Sequence, residues 1–118
     1  MGTAAVTPQT GWWWNSAESG RGFFIEWQAG RADIAGYMYD DAGNSVWYLT
    51  VGAQSADGRN FTGNWWSYGN GQTLTGPWKQ NARLSTTVAP LSITFSGPDT
   101  AFMTLPNGRT TALTRHRF

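Results

Sequence analysis

"GFFIEWQAGRADIAGYMYDDAGNSVWYLTVG", residues 22–52, decides the fold. It divides into three runs rich in aromatic and β-branched residues, 22–28, 32–39 and 45–52. In the first, Phe23, Ile25 and Trp27 alternate with Phe24, Glu26 and Gln28, the two-residue period of a strand. A Gly-Arg turn separates the first run from the second. "DDAGN" (40–44) separates the second from the third and supplies Asp and Gly where a tight turn needs them. Connections this short join antiparallel neighbours, so the three runs predict a meander.

The same pattern continues outward in both directions. "GWWW" (11–14) opens the chain, and "RNFTGNWW" (59–66) follows the turn "SADG". "PLSITFS" (90–96) sets Leu91, Ile93 and Phe95 against Ser92, Thr94 and Ser96. "TAFMTL" (100–105) follows "GPD", and "RTTALTRHRF" (109–118) follows "PNG". "GQTLTGPW" (71–78) reads as one further short strand. "WKQNARLSTTVA" (78–89) reads as loop or irregular strand with room for a short helical turn. No stretch carries an apolar stripe at helical spacing. The expectation is an all-β, antiparallel up-and-down meander of eight or nine strands. Such a sheet has unpaired edges unless it closes, so a closed or nearly closed small barrel is the economical form. A β-sandwich would need longer crossovers. Gly36, inside a strand, suits a bend at a barrel corner. The 118 residues fit a single domain: a flexible N-terminal lead at 1–10, then one barrel-like domain at 11–118.

Composition removes several functions. The net charge is +1 and only 13% of residues are charged, which gives no footprint for nucleic acid. With no cysteine there is neither a disulfide framework nor a thiolate metal site. No apolar run is long enough to span a membrane as a helix. His116 is the only histidine, near the C-terminus, with no local nucleophile or base partner. Glu18 and Glu26 are the only glutamates. Glu26 shares its parity with Phe24 and Gln28, and an inward Glu26 would have a raised pKa and pair with an arginine. No catalytic residue, cofactor or metal is expected, and the chain reads as a non-enzyme.

The aromatic residues carry the functional signal. Eight Trp, four Tyr and six Phe make up 15% of the chain. Consecutive residues of a strand face opposite sides, so Trp13 must oppose Trp12 and Trp14. A core this size cannot take every indole, and exposed aromatic surface marks an interface or a ligand platform. "GNWWSYGNG" (63–71) echoes "GWWWNSAESG" (11–20). The expected ligand-binding residues are Trp12, Trp14, Asn15, Trp65, Trp66, Tyr68 and Trp78. They are expected on two segments, 12–21 and the glycine-rich stretch after Trp65, lying at one end of the barrel. Asn15 and Ser16 are expected to satisfy loop backbone groups. Glu18 and Arg21 are expected to close the loop, against each other or against Arg115. The expected partner is a carbohydrate or other surface polymer. The alternatives are a small apolar ligand inside the barrel, or a second copy of the chain in a structural, self-associating domain.

Gly11, Trp13, Trp14, Asn15, Glu18, Ser19, Gly20 and Gly22 resemble the opening "G-x-W-W-N-P-x-E-S-G-x-G" of a family of small secreted or cell-surface proteobacterial β-domains. Tyr37, Tyr39, Asp40, Gly43, Trp47 and Tyr48 are similar to its second motif, "Y-x-Y-D-x-x-G-x-x-x-W-Y". Leu113, Thr114 and Arg115 match its closing "L-T-R". Ser16 departs from the pattern, standing where the family usually has proline. The resemblance implies a β-rich meander and an exported chain, secreted, periplasmic or on the cell surface. The start "MGTAAVTPQT" fits a mature N-terminus from which a signal peptide has been removed. "GWWWN" is also similar to the G-x-W strand of lipocalins and avidins. That likeness implies a closed barrel; in avidin-like proteins the positions of Asn15 and Ser16 help hold biotin, but their later tryptophan motifs are not evident here.

Overall fold

The computed structural model describes residues 5–117, and at positions 85–89 the backbone alone. Eight strands follow in chain order: β1 (Gly11–Trp14), β2 (Gly22–Gln28), β3 (Arg31–Tyr39), β4 (Ser45–Ala53), β5 (Asn60–Gly69), β6 (Ala82–Phe95), β7 (Thr100–Thr104) and β8 (Thr110–Arg115). Each pairs antiparallel with the next, and β1 pairs with β8, so the meander closes into a barrel. The closing ladder is short, Trp13 opposite Arg115 and Trp14 opposite Thr114. Because strands alternate in direction, the β1–β2, β3–β4, β5–β6 and β7–β8 connections share one end, called upper here.

Alternation decides what fills the interior. Trp13, Phe23, Ile25, Ile34, Phe61, Trp65, Leu91, Ile93, Phe95, Met103 and Leu113 are all buried, with Ala32 and Ala101 at tighter places. The centre of the barrel is therefore packed side chain on side chain. Gly36 is accommodated against this core, since a Cβ there would crowd the Phe23 ring at 3.0 Å. Glu26 is exposed on the outer face beside Asp33, its partner on β3. Glu26 therefore does not point into the barrel: Phe23 and Ile25 claim the inward parity, and Phe24, Glu26 and Gln28 all face out.

The two ends differ. Of the flexible lead expected at 1–10, positions 1–4 lie outside the described residues, and 5–10 are tied across the lower end. Val6 N donates to Asp57 O at 2.7 Å, Gln9 N to Pro98 O at 2.9 Å, and Trp13 Nε1 to Gln9 O at 3.0 Å. Val6 packs against the core and Pro8 is buried, so the strap is held by apolar contact as well. Trp27 fills the same end with its ring 5.4 Å from that of Phe95.

The β5–β6 hairpin departs furthest from the expected layout. Residues 82–89 belong to the long strand β6 and contain no helical turn, while 71–78 form an irregular loop with no strand. Thr73 Oγ1 accepts from Gly76 N at 3.1 Å and Gln72 Oε1 from Lys79 N at 3.1 Å, local bonds that stand in for a ladder. The register shifts twice, between Trp65 and Trp66 and between Trp66 and Tyr68. β7 pairs only with the Ser92–Phe95 part of β6, so Pro90 sits where no β7 partner needs its missing N–H.

Candidate functional site

Gly22 is the floor of the most distinctive surface. A Cβ there would collide with Tyr37 Oη and lie 2.7 Å from Trp12 Nε1. Only glycine lets these two rings close over the β2 backbone. Trp12 Nε1 donates to Tyr37 Oη at 3.0 Å, which fixes the indole. Around it the ring centroids of Phe24, Trp14 and His116 lie at 5.7, 5.7 and 4.4 Å. Phe24 lies 6.0 Å from Tyr37, and Trp14 meets His116 edge-on at 5.1 Å.

This cluster continues round the barrel. Tyr37 stands opposite Trp47 on β4, and the Trp47 and Tyr68 rings stack at 5.6 Å, 6° from parallel. Leu49 pairs with Trp66, and the Arg83 guanidinium caps the Trp66 ring at 4.0 Å. An outer strip of rings thus runs from His116, just after β8, across β1, β2, β3, β4 and β5. Phe24 and Trp47 are each about half exposed, at 49%. Beyond Tyr68, a hollow of about 270 Å³ lies between Trp47, Tyr68 and the 69–81 connection.

Trp12, Trp14, Trp66 and Tyr68 all belong to this strip. Trp65 does not: it is buried, stacked on Phe23 at 5.7 Å, and faces the barrel interior. Trp78 lies apart in the 70–81 loop, 75% exposed, beside Pro77 and Gly76. The segment 12–21 and the β5–β6 loop do leave the same end, but they line different hollows. What joins their aromatic residues is the outer face of the sheet. Phe24, Tyr37, Trp47 and His116 complete the strip and were not among the ligand-binding residues expected from sequence. For the first three the signal was present, because each occupies the outward parity of its strand.

The 15–21 loop is built for rigidity. Asn15 Oδ1 accepts from Ala17 N at 2.9 Å and caps the short 3₁₀ turn Ser16–Glu18. Glu18 Oε1 accepts from Thr111 Oγ1 at 2.7 Å and from Arg21 Nη2 at 2.5 Å. The Thr111 hydroxyl first, then the arginines, hold the Glu18 carboxyl below the usual carboxylate range. Arg115 is engaged elsewhere, its Nε donating to Thr10 O at 2.7 Å over Gly11, so loop closure falls to the Glu18–Arg21 pair.

Among the described residues no group of three or more His, Asp or Glu is placed to hold a metal ion, and no helix is long and apolar enough to cross a membrane. No protein-family profile, no curated protein and no solved structure matches this chain.

Proposed function

We propose that this chain is a non-enzymatic binding module of an exported protein that grips a carbohydrate along its outer aromatic strip. One observation carries the reading: outward-facing rings on the five neighbouring strands β1 to β5, joined by His116 just after β8, form a run on the closed barrel in which Phe24 and Trp47 are about half exposed and the others partly so. A flat ring covers the C–H face of a sugar, while indole N–H, phenol and imidazole groups at the strip's edges take hydroxyls. The rings are already ordered by one another and by the Trp12–Tyr37 hydrogen bond, so little side-chain freedom is lost on binding. Export, to the periplasm, cell surface or medium, rests on the motif resemblance around Trp13 and Tyr37 and accords with a chain that has no cysteine.

The test is a glycan array read beside analytical ultracentrifugation. The expected result is retention of a restricted set of glycans by a monomeric chain. Retention of none, together with concentration-dependent dimers, would assign the strip to self-association.

A further inference from the structure

The barrel is sealed below and open above, and the open end is furnished. The strap at 5–10 and Trp27 close the lower end. At the upper end a cup of about 390 Å³ opens between the 15–21 loop, the end of β3 and the 105–109 turn. Its floor is aromatic: Phe23 and Trp65 stacked at 5.7 Å, with Tyr48 tilted against Trp65 at 6.5 Å. Leu105 and Met38 form the walls, and Arg21 and Asn107 stand at the rim. A second hollow, also about 390 Å³, shares Arg21, Met38 and Tyr39 with the first and adds Arg109 and the Glu18 carboxylate, with Ser19 and Gly20 between Glu18 and Arg21 in the loop.

Small-ligand sites are concave, mostly apolar and furnished with a few convergent polar groups, in volumes of about 300–1,000 Å³. The cup meets that description and the outer strip, which is convex, does not. Glu18 takes one donor of Arg21, which leaves that guanidinium with donors to spare; Arg109, a second cation, lines the same adjoining hollow as Arg21 and Glu18. The geometry points to a second binding site, in this cup, for a small anionic amphiphile: a flat or short apolar body against Phe23, Tyr48 and Trp65, and a carboxylate or sulfonate at Arg21 and Arg109. The site is separate from the outer strip: Phe24, Tyr37, Trp47 and Trp66 lie on the opposite faces of their strands from the lining residues Phe23, Met38, Tyr48 and Trp65.

The probe is 8-anilinonaphthalene-1-sulfonate titrated into the full chain, followed by the indole N–H signals in a ¹H–¹⁵N spectrum. The Trp65 signal is expected to move, with those of Trp12, Trp14 and Trp47 unchanged. N-phenyl-1-naphthylamine, which keeps the rings but lacks the sulfonate, is expected to bind about fivefold or more weakly, and R109E is expected to weaken the sulfonate probe by a similar factor. Shifts confined to the strip tryptophans would overturn the proposal. So would equal affinity for the charged and neutral probes, or an R109E chain that binds the sulfonate unchanged. Because the indole reading uses the unaltered protein, it decides the matter even if R109E proves unstable. Loss of glycan binding by a strip variant that still binds the sulfonate would separate the two sites.

Discussion

Gly22 shows how much of the surface hangs on one residue. The Trp12–Tyr37 pair occupies the space of a β-carbon there. Gly22→Ala is expected to push those rings apart and to cost about 1–3 kcal/mol, read as a lower urea midpoint. Trp65 and Trp78 differ just as sharply. Trp65→Ala empties a core position and should cost about 3–5 kcal/mol, whereas Trp78→Ala, on an exposed loop, should stay within about 0.5 kcal/mol. Alternation made the opposition of Trp13 to Trp12 and Trp14 legible. It could not say which member of the pair Trp65–Trp66 faces in, because the phase of a strand is set by its partners.

Glu18 adds a pH dependence at the same scale. Its folded pKa lies below its ordinary value of 4.5, as that of Asp57 lies below 3.8 through the Ser55 hydroxyl and then the Arg59 amide. A depressed carboxylate stabilises the fold above its unfolded pKa, and that contribution disappears as pH falls through the folded one. Thermal midpoints should therefore decline below about pH 4.5, and Glu18→Gln should show a shallower decline than the parent chain.

Among the elements, the β4–β5 junction is the weak seam. Its ladder holds one register pair, Leu49 with Trp66, and an isolated bridge between Gln54 and Phe61. The strands approach instead through glycines: a Cβ on Gly52 would lie 2.7 Å from Thr62 O, and one on Gly63 would lie 2.5 Å from Thr50 Oγ1. With few ladder bonds, β4 amides facing β5 should exchange with solvent faster than those facing β3, in native-state hydrogen exchange. The hairpins that announce themselves by Asp-Gly and Asn-Gly turns were readable from sequence. The first half of β6 was not, because it pairs on one side only and its register shifts break the alternation that identifies a strand, whereas its second half was readable as "PLSITFS".

At the scale of the whole molecule, closure was legible by elimination, since eight short antiparallel strands leave edges that only a barrel removes. The surface of rings was legible in kind but not in place. Aromatic excess predicted a surface of rings, and Trp12, Trp14, Trp66 and Tyr68 are in it. Sequence distance hid that β1 and β4 present their rings on one continuous outer face, because that juxtaposition arises from curling the sheet. The most direct test of carbohydrate binding through this strip is calorimetric titration of an array-positive oligosaccharide into Trp47→Ala beside the parent chain. Strip binding predicts an affinity lower by about 1–3 kcal/mol with the thermal midpoint nearly unchanged. An unchanged affinity would contradict it.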